Sequence, residues 1–185
     1  MAFSALSCNI FETRDPEPPT QSSSSFQPPT EPSIVFSNMI NAFRDLNSLN
    51  YLRSFSDSAA TNRSYRFEPT PQAQSKYGDL FQSWTRTSEQ QYFDNFRTRV
   101  PQGSVATLEL SFSVQIIQSD SAQFEATYRL VIPHTQPSVA QEARGHSQFF
   151  LVVDRSRNWS IWRWVDLPLN QQDVTWSELK GAFGR

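Results

Sequence analysis

Residues 149–166 constrain the fold more tightly than any other stretch. Phe149, Phe150, Leu151, Val152 and Val153 form an unbroken apolar run, and Asp154, Arg155, Ser156, Arg157 and Asn158 follow as a polar turn. Trp159, Ile161, Trp162, Trp164 and Val165 then resume the apolar pattern. Aromatic and β-branched runs on either side of a short polar turn predict a β-hairpin. The first strand is apolar in both phases, which places it centrally in a sheet with cover on each face. The second also carries apolar residues in both phases, Trp159 and Ile161 in one, Trp162 and Trp164 in the other. Either a bulge resets its register, or aromatic side chains emerge on the outer face.

Two further strands alternate cleanly. Leu108, Leu110, Phe112, Val114 and Ile116 interleave with polar residues, as do Phe124, Ala126, Tyr128, Leu130 and Ile132. That period of two predicts half-buried strands joined by a turn at 119–121. Upstream the period changes. Val35, Met39, Phe43 and Leu46 recur at helical spacing behind Pro32-Ser33, and Leu49, Leu52 and Phe55 continue on a second short helix. Tyr65–Pro69 reads as a short strand that Pro69 and Pro71 confine to a sheet edge. A helix is expected from Asp79, with Leu80, Phe81 and Trp84 on one side. Ser88 and Gln91 then read as a capping box for a helix presenting Tyr92, Phe93, Phe96 and Val100. Trp176, Leu179 and Phe183 predict a last helical turn or two. The order predicts an α+β fold: a curved, mainly antiparallel sheet wrapped around N-terminal helices to make a cone-shaped domain over residues 31–185.

The N-terminus differs. Residues 1–8 are small or apolar, without charge, and end at Cys8; the stretch from Pro16 to Pro32 holds six of the chain's twelve Pro and the run Ser22–Ser25. Segments of that composition behave as extended tethers, here residues 9–30. A small apolar run that ends in Cys and precedes such a tether resembles the end of a bacterial lipoprotein signal. The resemblance makes Cys8 the lipid attachment site and implies an envelope location, with a membrane anchor through lipid. If Met1 is instead the natural start, the expectation is a cytoplasmic protein. Net charge is −2, and no basic stripe points to nucleic acid. No stretch reaches the roughly 18 to 20 apolar residues of a membrane-spanning helix.

The long first helix, the strand Tyr65-Arg-Phe-Glu-Pro69, the Trp84…Glu89-Gln-Gln-Tyr-Phe93 helix, the strand 159–167 and the ending Trp176-Ser-Glu-Leu-Lys180 together resemble the nuclear transport factor two-like (SnoaL-like, cystatin-like) superfamily. More narrowly, they resemble its bacterial lipoprotein members. The resemblance spans residues 31–183 and implies the cone fold. Its enzymes, ketosteroid isomerases and polyketide cyclases among them, place an acid or His deep in the cone.

Against that expectation the acids are poorly placed. Glu109 and Glu125 fall on the polar phase of their strands, Asp154 lies in a turn and Asp94 flanks Phe93 on its helix. Asp166, in phase with Trp162 and Trp164, suits either a buried base or a strand-end group bonded to a neighbouring backbone. No catalytic residue is assigned. His134 and His146 read as solvated loop residues, and no metal-ligand spacing or cofactor motif occurs. Tyr51, Trp84, Tyr92, Phe96, Tyr128, Trp162 and Trp164, with Asp166, either line an apolar pocket in an open cone or pack as its core. The expected function is a non-enzymatic envelope lipoprotein binding an envelope protein or a small apolar ligand, with homodimerisation through the sheet open. The alternative is an isomerase, cyclase or hydrolase acting on a hydrophobic small molecule.

Overall fold

A computed structural model describes residues 25–185. Cys8 and residues 9–24 of the tether lie outside the described residues. Along the chain run α1 (Pro32–Arg44), α2 (Ser48–Leu52), α3 (Ser58–Thr61), β1 (Arg66–Glu68), α4 (Pro71–Lys76), α5 (Gly78–Phe81) and α6 (Arg86–Arg97). They are followed by β2 (Thr107–Ile117), β3 (Ser121–Val131), β4 (Glu142–Val153), β5 (Trp159–Leu167) and α7 (Trp176–Phe183). The five strands form one sheet in the order β1-β5-β4-β3-β2. β2 to β5 pair antiparallel, and β1 adds parallel to β5 at the edge.

Helix α1 explains why the sheet curls. Pro32 sits in its first turn, where the missing N–H costs nothing. Its buried stripe, Val35, Phe36, Met39, Ala42 and Phe43, is laid against the inner face of the sheet. The Phe36 ring meets Phe112, Phe124 and Phe149 at 4.8, 5.0 and 5.1 Å between centroids. Burying each such ring contributes about 1.5–3 kcal/mol. One helix touching three strands requires them to bend around it.

Two bulges revise the simple alternation. The β4–β5 register moves from Phe150↔Arg163 to Leu151↔Ile161, leaving Trp162 as the extra residue. Ile161 and Trp164 therefore both face the interior at 0% exposure, while Trp162 turns outward. In β2 the register shifts at Ser113, so Val114 opposes Glu125 and Ile116 opposes Gln123, on the outer face. The expected inward run of β2 thus ends at Phe112, and Ile116 is left half exposed. β4 is central, as expected. The outer-face cover of its Phe150 comes from β5 side chains, the Arg163 guanidinium at 4.8 Å and the Trp162 ring.

Other boundaries differ locally. The cap of helix α6 lies three residues before the expected one: Thr85 is the N-cap and Ser88 the reciprocal partner in its capping box. Pro71 does not merely end β1. It opens α4, with the Thr70 side chain accepting from Ala73 N–H. Residues 25–30, expected in the tether, lie against the domain. Asn38 exchanges hydrogen bonds with Gln27 N–H and C=O, and Trp159 N–H donates to Pro29 C=O. His134 is not solvated either. It is buried, its ring is edge-on to Phe183, Nδ1 accepts from Gln136 N–H and Nε2 faces Ala140 C=O. A loop that must cover Phe183 cannot leave this ring in water. His146 lies on the outer face, 3.6 Å from Glu125.

Candidate functional site

The interior of the cone is built from α6, α7 and the inner face of the sheet. On α6, Glu89, Tyr92, Phe93 and Phe96 recur at spacings of three, four and seven and are all buried. The first of them is a carboxylate at 0% exposure. Tyr51 OH donates to Glu89 Oε2 at 2.7 Å, and Tyr65 OH and Trp84 Nε1–H donate to Oε1 at 2.6 and 2.8 Å. The fourth partner is the ammonium of Lys180, also at 0% exposure and in direct contact with Oε1. A buried ion pair is tolerated only where further hydrogen bonds satisfy the remaining lone pairs, and here they do.

Lys180 arrives from α7, on the same stripe as Trp176, Leu179 and Phe183. Its Nζ lies 3.8 Å from the ring centroids of both Phe67 and Trp164, with Trp84 and Tyr92 at 5.6 and 5.9 Å. Burial lowers the Lys180 amine to about 8, with Glu89 and then Asp166 holding it up against that loss of water.

Asp166 forms a second buried centre. Its Oδ1 accepts from Tyr128 OH at 2.8 Å, and its Oδ2 accepts from Ser177 N–H and Oγ–H at 2.7 and 2.5 Å. Ser177 is in the first turn of α7, whose N-cap Thr175 makes no side-chain cap bond. Asp166 supplies that cap from the end of β5, and the helix dipole there also favours an anion. Burial pushes its carboxyl up, and the bonds from Ser177 and Tyr128 oppose the shift. Tyr128 OH in turn accepts Trp176 N–H at 2.7 Å. Gly145 makes room for this hydroxyl, since a Cβ there would strike it. Burial raises Tyr51, Tyr65, Tyr92 and Tyr128 well above the ordinary phenol range.

Seven of the eight expected pocket residues converge here: Tyr51, Trp84, Tyr92, Phe96, Tyr128, Trp164 and Asp166, none more than 5% exposed. Trp162 does not, because the bulge turns it to the outer face beneath the Arg63 guanidinium at 4.8 Å. The converging side chains do not line an open cleft. Trp176 occupies the space between Phe43, Tyr128 and Trp164, with centroids 5.5, 5.3 and 4.5 Å away, and the buried Lys180 amine is wedged between the Phe67 and Trp164 rings. Asp166 is the strand-end group bonded to a neighbouring backbone. Glu89 and Lys180 escaped the sequence reading. The signal was present: each holds a stripe position between aromatic residues, and their charges are opposite. Among the described residues, no group of three or more His, Cys, Asp and Glu is placed to hold a metal. No described helix is long and apolar enough to cross a membrane.

No protein-family profile matches the chain, and no curated protein matches it in sequence. Solved structures do share its fold. A conserved protein from Planctomyces limnophilus aligns over 74% of this chain and 94% of its own, at 13% identity and a TM-score of 0.55. The Kfla4162 protein from Kribbella flavida aligns over 81% and 94%, at 10% identity and 0.51. A nuclear transport factor 2-like superfamily protein from Salmonella enterica aligns over 74% and 88%, at 11% identity and 0.48. The chain shares the fold of the Planctomyces limnophilus and Kribbella flavida proteins. At such identities the likeness extends to the fold alone. In this domain the interior is taken up by side chains of α7, Trp176 and Lys180 among them.

Proposed function

We propose that this nuclear transport factor two-like domain is a non-catalytic binding module that works through its outer surface, carried on the N-terminal tether and anchored through Cys8. The observation that supports this most is the filling of the cone by Trp176 and Lys180. Both deep carboxylates are committed to internal partners, Glu89 to Lys180 and three neutral donors, Asp166 to Tyr128 and α7. A proton-transfer base has to reach its substrate within hydrogen-bond distance. Neither acid has room for one. The same packing weighs against an isomerase, cyclase or hydrolase working inside the cone.

Two measurements test the two parts separately. For the interior, a saturable, stoichiometric site for an apolar dye such as anilinonaphthalene sulfonate in the native protein, one that quenches the interior Trp, would sink the non-catalytic reading. For the tether, the protein expressed from its own locus is expected in the detergent phase, with an acylated N-terminal peptide beginning at Cys8. Recovery in the aqueous phase with Met1 retained would remove the anchor.

A further inference from the structure

The Glu89–Lys180 contact has the layout of two reactants. A primary amine touches a carboxyl, both at 0% exposure, and α6 and α7 hold them there across 91 residues of chain. Aromatic rings close the surroundings of the nitrogen, Phe67 and Trp164 most closely. The two oxygens of the carboxyl are treated differently: Oε2 is held by Tyr51 OH, while Oε1 gathers Tyr65 OH, Trp84 Nε1–H and the Lys180 amine.

We propose that Lys180 Nζ and the Glu89 side-chain carboxyl condense to an intramolecular amide, covalently joining the last helix to α6. Inside a low-dielectric interior, transfer of the ammonium proton to the carboxylate gives a neutral amine and a neutral acid and removes two buried charges. The lone pair of Nζ then attacks Cδ of Glu89, forming the C–N bond. Tyr51 OH donates to the oxyanion that develops on Oε2, the role of preorganised donors in acyl transfer. The Cδ–Oε1 bond breaks as Oε1 leaves with the acid proton and one proton from nitrogen. The balance is acid plus amine to amide plus one water, with no oxidant, reductant or activating group required. Oε2 becomes the amide oxygen and keeps its bond from Tyr51.

Two features favour this outcome. Fixed amine and carboxyl groups react as though at effective concentrations of about 10⁵–10⁸ M when their geometry suits attack. A lowered amine, about 8 for Lys180, makes the neutral nucleophile accessible near neutral pH. The chain has one Cys and so no internal disulfide. An amide between Glu89 and Lys180 would be its covalent staple.

The test uses the unaltered full chain, folded, incubated and then denatured before mass analysis. The expected mass is lower by one water. Digestion with trypsin should yield residues 87–97 joined to residues 164–185, uncleaved after Lys180. A Lys180→Arg variant, folded or not, should show neither feature, which separates this condensation from dehydration elsewhere. If the incubated protein keeps its full mass, or releases 87–97 and 164–180 as separate peptides, the pair is an ion pair only and the proposal fails.

Discussion

Asp166 caps helix α7 from the neighbouring strand: its Oδ2 accepts both the backbone N–H and the hydroxyl of Ser177, at 2.7 and 2.5 Å. The end of β5 and the start of the last helix are thus tied by one buried carboxylate, and Trp176 and Lys180 reach the interior because that tie sets where α7 begins.

Asp166→Asn keeps the shape but turns an amide NH₂ toward either Ser177 or Tyr128, both of which donate now. Loss of a buried, charge-assisted pair of bonds should destabilise the protein by about 2–3 kcal/mol in urea unfolding. A change below about 0.5 kcal/mol would show that the cap does not hold the helix.

Relative to the uncondensed chain, Glu89→Gln and Lys180→Met each leave a buried partner unmatched, and each should cost about 3–5 kcal/mol. The double variant should recover a large part of that loss, because it removes both charges together. A double-mutant cycle with additive losses would mean that the two side chains do not interact.

Alkaline pH separates two opposing effects. Tyr51, Tyr65, Tyr92 and Tyr128 have folded pKa values above the unfolded value near 10, so their contribution is complete below that pH. Above it the unfolded chain loses phenol protons that the folded chain keeps, and stability falls by about 1.4 kcal/mol per pH unit for each ring. Lys180 acts in the other direction. With its folded amine lowered to about 8, a free Lys180 makes stability rise between about 8 and 10.5, where only the unfolded chain holds the proton. Denaturant unfolding across this range, with tyrosinate absorbance as a second probe, should show a gain and then a steep loss before Lys180 has condensed, and the loss alone afterwards. Lys180→Met should remove the gain and keep the loss. A condensed Lys180 would also lack the gain.

The bulge in β5 assigns opposite costs to two neighbouring tryptophans. Trp164→Ala empties an interior site and should cost about 3–5 kcal/mol. Trp162→Ala removes a partly buried ring from the outer face, where it meets Arg63 and Phe150, and should cost about 1 kcal/mol. Equal losses would mean that the register drawn for β5 is wrong.

These contrasts show what a reader of the sequence can and cannot see. The hairpin at 149–167, the β3 alternation and the stripe of α1 are local patterns, and each formed where its period predicts. The doubled apolar phases of 159–164 announced that something interrupts β5. Nothing marks Ser113, where β2 changes face with no Gly, Pro or change of composition. Pro71 is ambiguous by nature, since a ring that ends a strand also suits the first turn of a helix, and only Thr70 before it distinguishes the two. Glu89 was hidden for a different reason. A charged residue on an apolar stripe makes sense only once its counterion is known, and Lys180 is 91 residues away. The pocket residues were identified by type, aromatic and inward. What occupies the space between them depends on where α7 docks, which no local pattern states.

The position of α7 after every strand of the sheet sets an order of events during synthesis. α7 emerges from the ribosome after all five strands, so the wall of the cone is made before its centre exists. Until Trp176, Ser177 and Lys180 arrive, Glu89 and Asp166 lack the partners that make their burial tolerable, and the nascent domain must remain open to water. Closure of the domain therefore waits for residues 176–183, and a stop codon just before Trp176 would yield a chain that contains every strand yet has nothing to close around.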